Sequence, residues 1–331
     1  MALHAYLYDA EGRDRKVDVS ESDLASLGER QLLWIDIDDP EDPQISKIAE
    51  RLGIDVKGLK CTARAHLSRV HNYGNYSQFV VLTPPGSHSS DAAATDSDAT
   101  RGETAVTFLV NKQWVLTIHG DGVDFIDSFR TEDRPETMIG ALTSQDFAAS
   151  LLDAHLETYF EEVSHIEELV DRLDEQALIN PSGKTILGRM VALRRRVSKL
   201  RYSLSLQRGV FYGLSRPDLQ VGNETGSTPH FQTLVSRFER AIDEVEHTRD
   251  LVVGSFDLFT SRTAQQTNEL VKVLTYLTAV IGLCAAVAGV FGMNFTTDIF
   301  DSGDSGFYGT VVVLIIVVIG ATWFARWRDW L

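Results

Sequence analysis

Residues 286–320 read AVAGVFGMNFTTDIFDSGDSGFYGTVVVLIIVVIG: an apolar run, a short polar and acidic interval, and a second apolar run. The tetrad Gly292-Met293-Asn294-Phe295 stands where the first run ends. Asp298, Asp301 and Asp304 follow it with no basic residue among them. Hard cations prefer oxygen ligands. Carboxylates gathered without counter-charge raise the local concentration of dications and repel anions. The three aspartates therefore suit an electrostatic funnel rather than tight ligation. Asparagine at a helix end fits an ordinary C-cap.

The elements that hold these residues are two apolar segments. The chain has 331 residues and a formal net charge of −16, enough for one large or two modest domains. No Asp, Glu, Lys or Arg occurs from Val273 to Thr297, nor from Ser305 to Ala325. A bilayer core needs ~20 apolar residues as a helix, so both runs are expected to span a membrane. Residues 271–295 and 307–325 form the spans, 296–306 the extracytoplasmic loop and 326–331 a short tail. Arg262 and Lys272 precede the first span, Arg326 and Arg328 follow the second, and the loop between has no basic residue. The positive-inside rule then puts both chain ends in the cytoplasm, with Trp323, Trp327 and Trp330 as an aromatic belt at the inner boundary. The opening MALHAYLYDAEGRD has no apolar core, so no leader peptide is expected. Two cysteines, Cys61 and Cys284, give neither a disulfide framework nor metal-ligand spacing.

The rest of the chain is expected in the cytosol. Residues 1–142 read as a mixed α/β domain, with HAYLYDA and QLLWIDID as strands and ETAVTFLVNKQWVLTIHG as a hairpin turning near Asn111-Lys112. PEDPQISKIAERLG reads as a short helix stopped by Gly53. Residues 86–102, small and polar, read as a flexible loop. From 143 to 215 the apolar spacing turns helical and is broken by NPSG, which predicts an antiparallel helical hairpin. Its first helix is acidic and its second basic, so complementary faces are expected. A stalk helix over 228–270 follows, beginning at Thr228-Pro229. Phe231, Leu234, Phe238, Ile242, Val245, Val252, Phe256 and Phe259 keep near-heptad spacing along it. With no proline or strong stop before Gly292, the stalk runs on into the first span. A stripe of that length needs neighbours, which points to a symmetric oligomer packed along it.

NELVKVLT at 268–275, GVFGMNF at 289–295, an acidic loop, a second span and a short Arg/Trp tail together resemble the CorA family of magnesium transporters. The match is dense over Asn268–Phe295 and looser over the cytosolic part. The resemblance implies a funnel-shaped homopentamer, each chain an α/β cytosolic domain plus a long stalk helix and two transmembrane helices. Five first spans would line a pore while the second spans face lipid. Five copies of Gly292, Met293 and Asn294 would ring its outer mouth. A ring of Asn294 carbonyls accepts hydrogen bonds from waters bound to the ion, selecting a hydrated dication without stripping it.

The pore-facing positions are Asn268, Val271, Leu274 or Thr275, Thr278, Gly282, Ala285 and Gly289. The chain departs from the family at Gly282, where a bulky methionine gate is common, and at Leu283, where proline is usual. Glycine cannot dewet a pore, so Leu274 is the expected hydrophobic girdle. The small residues at 282, 285, 286 and 289 equally suit close helix packing. The loop also departs, with TTDIFDSGDSG replacing a Met-Pro-Glu-type stretch. Intracellular Mg²⁺ bound by carboxylates between subunits is the expected closing signal. Asp257 matches a family acidic position, and Asp243, Glu244, Glu246 and Asp250 are further candidates; the plainer reading is that these charges solvate the stalk or pair with Arg240 and Arg249. The region of the usual inter-subunit aspartate reads VSRFER.

The expected function is a membrane-potential-driven Mg²⁺ channel of the cell inner membrane. Mg²⁺ is substrate and candidate regulatory ligand, and Co²⁺ and Ni²⁺ are candidate passengers. The expected partners are a second copy of the chain, membrane lipid and divalent cations. The acidic balance argues against nucleic acid. No Lys-Ser/Thr phosphate cradle and no nucleophile–base set is present, so neither an ATP-driven pump nor an enzyme is expected. The zinc-transporting branch of the family has Gly-Val-Asn where this chain has Gly-Met-Asn; zinc is the alternative cargo. A non-conducting membrane scaffold is the alternative of another class.

Overall fold

A computed structural model of the chain describes residues 3–11, 14–17, 27–28, 30–54, 69–85, 103–120, 122–131, 139–179, 184–216, 228–292 and 303–328. The loop expected at 86–102 and Cys61 lie outside them. The described residues form two compact units. One comprises residues 1–173 and 184–255, the other residues 174–183 and 256–331.

The first unit is built on a sheet of seven strands: β1 (Leu3–Asp9), β2 (Arg15–Lys16), β3 (Gln31–Ile37), β4 (His71–Asn72), β5 (Ser77–Leu82), β6 (Ala105–Val110) and β7 (Trp114–Ile118). Their order is β2-β1-β3-β7-β6-β5-β4. Within it β3 and β7 pair in parallel, Leu33 opposite Trp114 and Ile37 opposite Ile118. The paired strands β6 and β7 turn at Asn111, whose N–H donates to Trp114 O at 2.9 Å while its side-chain Oδ1 accepts from Lys112 N. Alternation sends Leu33, Ile35 and Ile37 to one face. There they join Ile45, Ile48 and Ala49 of helix α1 (Gln44–Leu52) in one apolar cluster. Gly53 ends α1 with φ 70 and donates back to Glu50 O at 3.3 Å, a position that glycine occupies without steric cost. The opposite face carries Trp34, packed edge-on to Phe129 of α2 (Asp124–Thr131) and to Phe147 of α3 (Ser144–Ile179). Burial on both faces explains why β3 is apolar almost throughout.

Helix α3 turns back into α4 (Lys184–Leu214). The pair is antiparallel, since Tyr159 meets Ser203 at 2.8 Å and His155 meets Gln207 at 3.0 Å. Tyr159 OH and Gln207 Nε2 both donate to Leu82 O, at 2.8 and 3.2 Å, and so fix the helical pair to β5. The buried Glu162 pairs with Arg196 across the two helices. Burial pushes the Glu162 carboxyl up and Arg196 draws it back. Helix α5 (Thr228–Phe291) supplies the other partners. Its Arg237 pairs with Asp153 at 2.7 Å and also with Glu157, and its Glu246 pairs with Arg201 of α4 at 3.2 Å.

The stripe on α5 is likewise resolved within one chain. Phe231, Leu234, Phe238, Ala241, Val245, Thr248, Val252 and Ser255 are all buried, and Phe238 stacks on Phe211 of α4 with centroids 4.3 Å apart. This corrects two expectations. The buried register takes Ala241 and Ser255 rather than Ile242 and Phe256, and Phe256 is 40% exposed. The first half of the stripe also needs no second copy to cover it. Small residues at a helix–helix seam let the backbones approach, which the larger neighbours would prevent.

Candidate functional site

The second unit carries the residues of interest. It holds the later part of α5 and helix α6 (Gly303–Trp327). Both have stretches long and apolar enough to cross a membrane, and neither stretch is buried in the chain. An apolar helix bare on nearly every side is a lipid or oligomer helix, not a core helix.

Successive residues of an α-helix are rotated by about 100°. On α5 the partly shielded positions are Tyr276, Val280, Cys284 and Val287, which fall on one side. Tyr276 OH lies 2.6 Å from Thr322 Oγ1 of α6. Thr322 already donates its hydroxyl proton to Val318 O at 2.7 Å, so Tyr276 is the donor of the interhelical bond. The partly shielded positions of α6 follow the same logic at Thr310, Leu314, Val317 and Ala321, with Ala325 buried.

Val271, Leu274, Thr278, Gly282, Ala285 and Gly289 sit on the other side of α5, roughly opposite Tyr276; Asn268 and Thr275 lie on its flank, about 80° and 100° round from Tyr276, and all eight are exposed in the single chain. A side chain built at Gly282 or Gly289 would meet nothing within 4 Å. Close packing within the chain therefore does not explain those glycines. The charged residues of this stretch, Arg262, Glu269 and Lys272, project away from that side. Gly292 follows the last turn, its N–H donating to Ala288 O at 3.0 Å. An added Cβ there would lie 3.3 Å from the same carbonyl, a tight fit. Met293, Asn294, Asp298 and Asp301 lie outside the described residues. Asp304 is exposed in the first turn of α6, directly after Gly303 with its φ of 61. A carboxylate is favourable there, because the first-turn N–H groups carry partial positive charge.

At the far end of α6, Trp323 and Trp327 stack at 6.4 Å and are 71% and 72% exposed. Arg328 lies over the Phe324 ring at 5.9 Å. This grouping of aromatic and basic side chains suits a lipid headgroup boundary.

Asp243 and Asp257 are exposed on α5. Glu244 sits 3.6 Å from Arg240, Asp250 3.7 Å from Arg249 and Glu246 3.2 Å from Arg201, so these carboxylates have cationic neighbours in their own chain. Among the described residues no three His, Cys, Asp or Glu side chains converge to hold a metal.

Two polar groupings were not legible beforehand. Tyr276–Thr322 is one. The other is a buried set in the first unit, where Asp36 lies 3.2 Å from His119 Nε2 and 3.5 Å from Arg130, and accepts from Thr117. Burial disfavours charge on His119, but the adjacent Asp36 outweighs it and holds the imidazole pKa above its ordinary value. An aspartate inside an otherwise apolar strand was the available sign.

A sequence profile of the CorA-like Mg²⁺ transporter proteins matches residues 29–326. A cobalt/magnesium transport protein CorA from Thermotoga maritima is 30% identical over 191 residues, 57% of this chain and 54% of that protein. The match thus spans about half of that relative's length. The CorA of Methanocaldococcus jannaschii is 21% identical over 327 residues, covering 96% and 98% of the two chains. Its complete structure superposes with a TM-score of 0.76 over 100% of this chain and 99% of that one, at 19% identity, which establishes the shared fold. The zinc transport protein ZntB of Yersinia enterocolitica is 23% identical over 196 residues, 58% of each chain.

Proposed function

We propose, from the premise that this chain belongs to the CorA-like Mg²⁺ transporter family, that it is a divalent cation channel carrying Mg²⁺ into the cell. The observation that carries this reading is the charge-free side of α5 from Val271 to Gly289, roughly opposite Tyr276, its bond to α6, and the other shielded positions, and leading to Gly292. Copies arranged with that side inward leave α6 outside against lipid. A homopentamer with both termini in the cytoplasm, seated in the cell inner membrane, accommodates it. The bare apolar surface of α5 and α6 supports an assembly in lipid.

In this reading Gly292, Met293 and Asn294 form the selectivity ring, and Asp298, Asp301 and Asp304 supply the negative mouth. Leu274 is the hydrophobic girdle. Flow is driven by the membrane potential, and Co²⁺ and Ni²⁺ accompany Mg²⁺. Internal Mg²⁺ closes the channel through Asp257 and Asp243. Among the described residues neither has enough acidic company to hold a metal, and ligands drawn from two subunits would complete such a site.

The test is Mg²⁺ influx into liposomes holding the purified full-length protein, wild type beside Asn294→Ala, under an inside-negative potential with low internal Mg²⁺. Influx in the wild type that disappears in the variant is expected. Equal influx in both would remove Asn294 from the filter. The similarity to a zinc transport protein makes zinc the second reading, and the same assay with Zn²⁺ ranks the two ions. No flux of any dication would leave a non-conducting scaffold.

A further inference from the structure

Helices α3 and α4 run in step. His155 lies against Gln207 at 3.0 Å and Tyr159 against Ser203 at 2.8 Å, so each step up α3 is matched by a step down α4. Nine residues on from Tyr159 is Glu168, and nine back from Ser203 is Arg194; two on is Glu161, and two back is Arg201. Glu168 and Arg194 thus share one height along the pair, and Glu161 and Arg201 another, about 10 Å away. These residues do not face one another within the chain. Glu162 and Arg196 mark the sides on which the two helices meet. Glu161 and Glu168 are turned about 100° and 120° from Glu162, and Arg194 about 160° from Arg196. All are exposed. Glu168 lies 3.3 Å from Arg172 of its own helix, and Arg201 3.2 Å from Glu246 of α5.

We infer that the outer side of α4 is an interaction surface for the outer side of α3 on the next copy of this chain. The inference rests on the channel reading, which sets the copies round an axis along α5. Helix α3 advances together with α5, Asp153 beside Arg237 at 2.7 Å and Glu167 beside Thr248 at 2.9 Å, so it lies along that axis as well. Rotation about an axis changes no height. Arg194 of one copy therefore stands level with Glu168 of the next, and Arg201 level with Glu161. A contact of this head-to-tail kind closes into a ring. The outer side of α4 also carries the exposed Arg195, with Val191 and Tyr202 among the arginines at 39% and 62% exposed. In a chain of net charge −16, basic and aromatic side chains are gathered on one flank while carboxylates stand at the same heights on the other. Exposed ion pairs add little affinity; their effect is to fix which faces meet and in what register.

The test cross-links the full-length protein in membranes, with both native cysteines replaced by serine. Glu168→Cys together with Arg194→Cys, treated with a short bismaleimide, is expected to give a ladder of bands at multiples of the chain mass. Either substitution alone is expected to give none. Linkage confined to one chain, or a ladder from either single variant, overturns the inference. Charge reversal supplies a second measurement. Arg194→Glu is expected to raise about fivefold or more the concentration at which the detergent-solubilised complex dissociates, and adding Glu168→Arg is expected to restore it. A complex indifferent to Arg194→Glu, or not rescued by the double reversal, also overturns the contact. An assembled complex that gives no ladder removes the α3–α4 contact and leaves the channel standing. A wild type that is a single chain both in membranes and in detergent overturns the channel assembly and the contact together.

Discussion

Helix α5 is one element of 64 residues with two unlike regions. Up to Ser255 its seam residues are buried against its own chain, and its Arg237 and Glu246 find partners on α3 and α4. From Leu270 onward the large apolar side chains stand largely bare, Leu270 at 72% exposed and Leu274 at 63%. The first region therefore belongs to folding, while the second leaves an apolar surface that its own chain does not cover. Hydrophobic spacing alone does not separate the two, because both regions read as apolar at three- and four-residue intervals.

The contrast can be broken most directly by truncation. Phe238→Ala should cost about 3–5 kcal/mol of unfolding free energy, since it empties a fully buried ring position. Leu270→Ala should change it by no more than about 0.5 kcal/mol, as expected at an exposed site. Denaturant unfolding of the detergent-solubilised chain, followed by circular dichroism, measures both, and equal losses would erase the distinction. A smaller effect is expected from pH. Burial drives the His155 pKa down to about 4 from 6.5, opposed by its hydrogen bond to Gln207. The native state thus resists protonation that the unfolded chain accepts. Stability is complete above pH 6.5 and falls as the pH drops towards 4, by about 3 kcal/mol in all. His155→Gln should flatten that slope while leaving mutations in the second region additive with it. The smallest effect belongs to the second region. Tyr276→Phe should weaken the α5–α6 pair by ~0.6 kcal/mol, with ~1.7 kcal/mol as the upper range for such bonds. A double-mutant cycle with Thr322→Val measures the coupling, and zero coupling would show that the bond contributes nothing.

Much of this was readable from the sequence because it rests on local patterns. Strand alternation marked Leu3–Asp9 and Gln31–Ile37, the paired strands around Asn111 carried their turn residue, and charge-free runs marked the spans. What escaped depended on partners far along the chain. Ile242 and Phe256 look like better seam residues than Ala241 and Ser255 until the neighbouring helix is in place. Asp36 and His119 are 83 positions apart in sequence, and Tyr276 and Thr322 are 46 apart; no periodicity connects them. The side of α5 opposite Tyr276 was legible from spacing, whereas the shared height of Glu168 and Arg194 required the packed pair Tyr159 and Ser203.

The two outermost strands of the described sheet, β2 and β4, are only two residues long, and β2 is made of Arg15 and Lys16, both exposed. Margins this short, one of them also positively charged, are poor templates for another chain's backbone. In the assembly proposed above, margins of this kind let copies crowd without zipping sheet to sheet into fibres, so correct pairing is left to the helices.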